Sequence, residues 1–290
     1  MRPYEGLLTA MVTPFRRDGG AVDEEAAVAL GRHLLAHGSH GLVICATTGE
    51  STTMTDEEQG SLIELMVSEF GDEAVVNAGA GSNDTRHACH LTERAVAAGA
   101  HAVLSVCPYY NKPNRRGIVR HFEEVARGAG GTPVILYNIP SRCVINMPPD
   151  LLAELAQIDG IEAVKQANNE DLQAIDGLYV LAGNDDIYLR NLELGLNGCI
   201  SVASHIAGDA MRRMWDEPDQ RAAIDASLRD LYATLFITSN PIPLKAALNL
   251  LGLDAGVPRL PLVEASDAEQ SQIRAMLERH GLLTQAAHAG

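Results

Sequence analysis

The sequence predicts an α/β fold: a (β/α)8 TIM barrel with a C-terminal helical appendage. Eight short apolar runs rich in Val, Ile and Leu alternate with longer amphipathic stretches. The runs are hydrophobic almost throughout, not at every second position, as parallel strands covered on both faces require. The first ends in Thr13-Pro14-Phe15 with no G-x-G-x-x-G behind it. Eight units without that glycine fingerprint favour a closed barrel over a doubly wound sheet.

In chain order the runs are GLLTAMVTPF (6–15), GLVICATT (41–48), AVVNAGAG (74–81), HAVLSVCPYY (101–110), PVILYNIP (133–140), IEAVKQAN (161–168), LYVLAGND (178–185) and GCISVASH (198–205). Most of the segments between them are long enough for a helix, so the expected order is strand then helix, eight times. Asp23 and Glu24 open the first helix, Thr55 with Glu58 forms a capping-box pattern for the second, and Asp84 or Thr85 starts the third. After residue 206 no strand pattern recurs. Segments 219–236, 243–251 and 267–289 read as helices, separated by Asn240-Pro241-Ile242-Pro243 and by the loop Gly256 to Pro261. The expected division is a barrel over 1–217 and a helical region over 218–290.

Lys and Arg number 22 against 38 Asp and Glu, a net charge of -16. That balance repels nucleic acid and anionic lipid, and no apolar run is long enough to cross a bilayer. An anionic substrate must therefore meet a local positive group. The amino terminus carries Glu5 inside its apolar stretch and Pro14 close behind, which does not read as a signal peptide; the expected location is the cytoplasm. Cys45, Cys89, Cys107, Cys143 and Cys199 are odd in number and form no C-x-x-C pair, so they are expected to be free thiols, mostly buried.

In such a barrel the carboxyl ends of the strands build the active site. Those ends carry Ala46-Thr47-Thr48-Gly49-Glu50, Pro108-Tyr109-Tyr110-Asn111 and Tyr137-Asn138-Ile139-Pro140-Ser141-Arg142. The sixth run carries Lys165, one of three lysines against nineteen arginines. Lys112, in a polar loop, and Lys245, in a helix after Pro243, are both expected to reach water. Lys165 lies between Val164 and Gln166 on a strand covered on both faces, and lysine is almost never buried without a partner or a task. An amine held out of water loses its proton more readily and attacks carbonyls, the chemistry of a Schiff base. A lysine snorkelling from the strand end, or paired with Glu162 or Glu170, is the alternative.

A Schiff-base lysine needs proton shuttles. Tyr137 ends the strand just before that of Lys165, and neighbouring strand ends lie close together; an amphipathic core aromatic is its alternative role. Thr47-Thr48-Gly49 offers two hydroxyls and a run of N–H groups suited to a small carboxylate. His33 and His37, four apart on the first helix, lack a further ligand at a strand end, so a solvated face is expected and no metal. Gly79-Ala80-Gly81 lacks the Lys and Ser/Thr of a P-loop, so close backbone packing is expected there.

Taken together, the ordered motifs ATTGES, PYYNKP, YNIPSR, VKQA, ISVAS and NPIPLK resemble the dihydrodipicolinate synthase and N-acetylneuraminate lyase family of pyruvate-dependent aldolases, in register from about residue 5 to 262. The resemblance implies a lyase that needs no cofactor. It implies that Lys165 forms an imine with pyruvate, that Tyr137 donates and accepts the proton, and that Thr47 with Tyr110 completes the relay. Thr48 and Ile200 would hold pyruvate through their main chains. Arg142 points to the synthase branch, where the matching arginine receives the carboxylate of aspartate semialdehyde on the route to diaminopimelate and lysine. A homotetramer built from dimers is implied as well, with Tyr110 reaching into the neighbour's site.

Three departures stand out: Ala46 replaces a glycine, Gln166 an acidic residue, and Cys143-Val144 a Thr-Gly. Two other functions remain open, a pyruvate lyase for a sugar acid or hydroxyproline derivative and a non-catalytic barrel that binds a small acid. Some members bind lysine at positions matching Ser51, Thr52, Asp56, Gln59, Asn83, His87 and Tyr109. His87 stands where a glutamate would meet the ammonium, so weak or absent inhibition by lysine is expected.

Overall fold

The computed structural model describes residues 2–17 and 20–283. Eight strands form its sheet: β1 (Gly6–Ala10), β2 (Gly41–Ile44), β3 (Val75–Gly79), β4 (Val103–Val106), β5 (Val134–Asn138), β6 (Ile161–Gln166), β7 (Tyr179–Ala182) and β8 (Gly198–Ser201). Each pairs in parallel with its sequence neighbours, and β8 returns to β1, closing the barrel. Consecutive residues such as Leu42 and Val43, or Leu7 and Leu8, are fully buried. Inner and outer faces are therefore both covered, the reason the runs lack alternation.

All eight expected strands form, each shorter than its apolar run. The chain leaves the ladder early because the following residues adopt loop conformations, as with Cys45 at φ +55° after β2. These early exits place the polar residues on loops at the barrel mouth.

The closing seam depends on glycine. Gly6 pairs with Gly198, and both have positive φ, +87° and +119°. A Cβ on Gly198 would fall 2.0 Å from the carbonyl oxygen of Gly6.

The helices are α1 (Glu24–Ala36), α2 (Asp56–Phe70), α3 (Thr85–Ala97), α4 (Arg115–Ala129), α5 (Pro140–Cys143), α6 (Pro149–Leu155), α7 (Tyr188–Glu193), α8 (Ser204–Asp216), α9 (Arg221–Thr234), α10 (Ile242–Leu250) and α11 (Asp267–Arg279). Asp23 caps α1, Thr55 and Glu58 close a capping box on α2, and Asp84 caps α3. The third C-terminal helix ends at Arg279, short of the expected 289; residues 284–290 lie outside the described residues.

One crossover departs from the expected alternation. Residues 167–178, between β6 and β7, contain only a single 3₁₀ turn, Asn169–Asp171. Asn168 Nδ2 bonds locally to Asp171 Oδ2 at 2.9 Å, while Asn169 Nδ2 reaches past β7 to Asp186 at 3.1 Å. Short polar side chains of this kind compete with helix formation.

Candidate active site

A cavity of about 460 Å³ opens at the carboxyl ends of the strands. Thr47, Tyr137 and Arg142 line it, together with Glu50 and Tyr109. Lys165 lies beneath these lining residues on β6, only 4% exposed, in register with Tyr137 on β5. Its Nζ sits 4.4 Å from the centroid of the Tyr137 ring. The parallel ladder thus puts the amine against the ring of Tyr137, which lines the cavity, while Lys165 itself does not.

Arg142 stands exposed at the rim on α5, a single turn begun by Pro140 and ended by Val144 at φ +66°. It supplies the local cation that the acidic chain requires for an anionic ligand. Asn138, next to Tyr137, anchors the segment beyond that turn. Its Nδ2 donates to Asn146 Oδ1 at 2.8 Å and to Gln166 Oε1 at 3.0 Å, while its Oδ1 accepts from Met147 N at 3.0 Å. The Gln166 departure therefore sits in an amide network that reaches the Asp171 carboxylate through Asn146 and Asn168.

Thr48 is buried, and its hydroxyl accepts from Asn240 Nδ2 at 3.0 Å. Ile200 is buried within β8. Neither side chain lines the cavity. Tyr110 does not line it either, and is 86% exposed with φ +72°, a backbone conformation rare for a residue with a side chain.

Asp185 escaped the sequence reading because GND at a strand end resembles an ordinary turn. It is buried beside β8, accepting from Ser201 Oγ at 2.6 Å and Ala203 N at 3.0 Å. Burial pushes its carboxyl up, opposed by those donors and by the Lys165 charge.

Lys245 corrects an expectation. Instead of reaching water it is 1% exposed, with its Nζ 2.6 Å from Glu50 Oε1. Periodicity marks α10 as helical but does not reveal that the turn after β2 covers this part of it. The scarcity of lysine was the available signal.

The free thiols and the close packing at Gly79 are as expected. The rings of His33 and His37 stack at 4.4 Å, and His37 contacts Asp209 at 2.8 Å. Among the described residues no group of three or more His, Cys, Asp or Glu is placed to hold a metal ion. Four cysteines are buried and Cys89 is half-buried, all free. Gly79 packs closely, since a Cβ there would lie 2.3 Å from the carbonyl oxygen of Cys45. Among the described residues no helix is long and apolar enough to cross a membrane.

Beside Thr47 and Tyr137, the same cavity is lined by Ser51, Thr52, Asp56, Gln59 and His87. The Asp56 carboxylate is already engaged, by His87 Nε2 at 3.0 and 3.2 Å.

Residues 3–280 match the model of the dihydrodipicolinate synthetase family. The chain belongs to that family. A 4-hydroxy-tetrahydrodipicolinate synthase from Desulforudis audaxviator is 42% identical over 289 residues, covering 96% of this chain and 98% of the relative. Among solved structures, a dihydrodipicolinate synthase from Cyanidioschyzon merolae with lysine bound superposes with a TM-score of 0.93 at 38% identity. It covers 98% of this chain and 100% of the other. A chloride-inhibited dihydrodipicolinate synthase from Acinetobacter baumannii, complexed with pyruvate, gives 0.91 at 33% identity, over 97% of this chain and 100% of that one. Membership of the dihydrodipicolinate synthetase family thus spans both the barrel and the helices that follow it.

Proposed function

We propose that the chain is a 4-hydroxy-tetrahydrodipicolinate synthase, a lyase of lysine and diaminopimelate biosynthesis that condenses pyruvate with aspartate semialdehyde in the cytoplasm. The observation that carries this reading is the buried amine of Lys165 beside Tyr137 under a cavity rimmed by Arg142, in a chain about 40% identical to such synthases along its length.

In this reading Lys165 Nζ attacks the keto carbon of pyruvate, and the carbinolamine loses water to give an imine. Tyr137, with Thr47 and Tyr110, carries protons to the departing hydroxyl and away from the methyl carbon. The resulting enamine attacks the aldehyde carbon of the second substrate, whose carboxylate meets Arg142. The main chains at Thr48 and Ile200 hold the pyruvate carboxylate. From the family resemblance we infer a homotetramer built from dimers, and the exposure of Tyr110 suits a residue that works in a neighbouring subunit. Arg142 favours this condensation over cleavage of a sugar acid.

The test is reduction with borohydride in the presence of pyruvate, followed by peptide mapping. An adduct on Lys165 is expected, and one on Lys112 or Lys245 would overturn the assignment. Turnover of pyruvate and aspartate semialdehyde in a coupled assay then distinguishes a synthase from a barrel that only binds.

A further inference from the structure

We propose that the buried Glu50–Lys245 ion pair is a positioning device for the turn that carries Thr47 and Thr48, governing the proton transfers that run through Thr47. The proposal rests on the reading of Lys165 and Thr47 given above.

The contacts converge on one short turn. Glu50 has φ +55°, a strained conformation that persists only where its surroundings hold it. Its N–H donates to Thr47 O at 3.1 Å, and its carbonyl accepts from Thr53 N and Thr53 Oγ1, each at 3.0 Å. Thr47 is therefore one hydrogen bond away from the Glu50 backbone. The carboxylate below is held at both oxygens, Oε1 2.6 Å from Lys245 Nζ and Oε2 accepting from Arg259 N at 2.9 Å.

Those two partners are fixed in turn. Lys245 donates to Val257 O at 3.1 Å and lies 4.4 Å from the centre of the Phe15 ring. The Arg259 guanidinium lies 4.1 Å from the centre of that ring and donates to Glu58 Oε1 at 2.6 Å. Phe15 can approach so closely because Gly256 has no side chain; a Cβ there would meet the Phe15 carbonyl oxygen at 1.8 Å. On its other sides the turn is held by Asn240 on Thr48 and by Thr13 Oγ1 on Gly49 O at 2.7 Å.

Packing alone does not account for the pair. Taking two charges out of water is unfavourable, and well-packed apolar residues of similar size are often as stable or more so. What a charge pair adds is direction, because each carboxylate oxygen is tied to a different partner and the backbone above cannot rotate. Glu50 lines the cavity and Lys245 does not, so the lysine acts only through Glu50. Neither is assigned contact with the reacting atoms.

The test compares Glu50→Gln, Lys245→Met and the double variant with the parent enzyme. Melting temperature, kcat, KM for pyruvate and the rate of borohydride trapping are measured, each assay at a temperature where circular dichroism shows folded protein. The single variants should melt lower, because each leaves one charge buried and unpaired. The double variant should regain most of the parent's melting temperature and still trap pyruvate on Lys165, but more slowly than the parent. Its kcat should remain at least tenfold down, with KM for pyruvate changed much less. A stable double variant with kcat within twofold of the parent would overturn the positioning role, as would one that never folds, which would make the pair purely structural. Failure of the parent itself to form the adduct would sink the assignment of Lys165, and this proposal with it.

Discussion

Replacing Arg142 with alanine should slow condensation while leaving the borohydride adduct on Lys165 intact, because the exposed Arg142 lines the cavity while Lys165 is buried on β6 beside Tyr137. Loss of one charge-assisted contact to a carboxylate corresponds to about 2–3 kcal/mol, or about a hundredfold in kcat/KM for the aldehyde; equal loss of both steps in single-turnover kinetics would place the arginine elsewhere. Lysine should inhibit weakly, since His87 already occupies the Asp56 carboxylate and brings no negative charge of its own to an incoming ammonium. Half-inhibition below about 1 mM in a titration at saturating pyruvate would contradict this. At this scale the sequence made Lys165 legible, because an ammonium inside a continuous apolar strand has few explanations. Lys245 was not legible, because its partner belongs to a turn far away in the chain and a helix pattern does not tell which neighbour will cover it. Asp185 was hidden for a similar reason: its donors come from the next strand end, which no local pattern brings near.

Among the elements, the seam between β1 and β8 is the most exacting, since two facing glycines let two backbones meet. Gly198→Ala should cost at least about 1–2 kcal/mol from the left-handed conformation alone, with more from the clash against Gly6. A denaturant midpoint unchanged from the parent's would show that the seam can relax. The strands were readable because burial on both faces writes itself as unbroken hydrophobicity, and the helix starts because Asp23, Thr55 and Asp84 are good caps. The crossover after β6 was not, because its length permits a helix while its Asn and Asp side chains favour local turns. Strand ends were placed too late for a physical reason too: apolar residues continue into the mouth loops, where they pack without pairing.

For the whole molecule, two buried histidines and a half-buried one tie stability to pH. Burial pushes His40, His121 and His205 down to about 4. In His205, Nε2 accepts from Val12 N at 3.2 Å, leaving Nδ1 to donate to Val202 O at 2.9 Å, so the neutral ring is the one the fold accommodates. Folded values below the unfolded 6.5 mean that the unfolded chain takes up protons first as pH falls. The stability these rings contribute is full above about pH 6.5 and is lost toward pH 4, by up to ~1.4 kcal/mol per pH unit for each. Urea unfolding across that window should show a falling free energy, and a flat profile would mean the rings are charged in the native state. The position of Arg259 and Lys245 also bears on how the molecule comes into being. Arg259 reaches back across 209 positions to Glu50, so during synthesis, amino end first, all eight strands leave the ribosome before the residues that fix the second mouth loop exist. A nascent barrel thus carries Lys165 and Tyr137 on finished strands while the turn that bears Thr47 still lacks the two residues that hold Glu50.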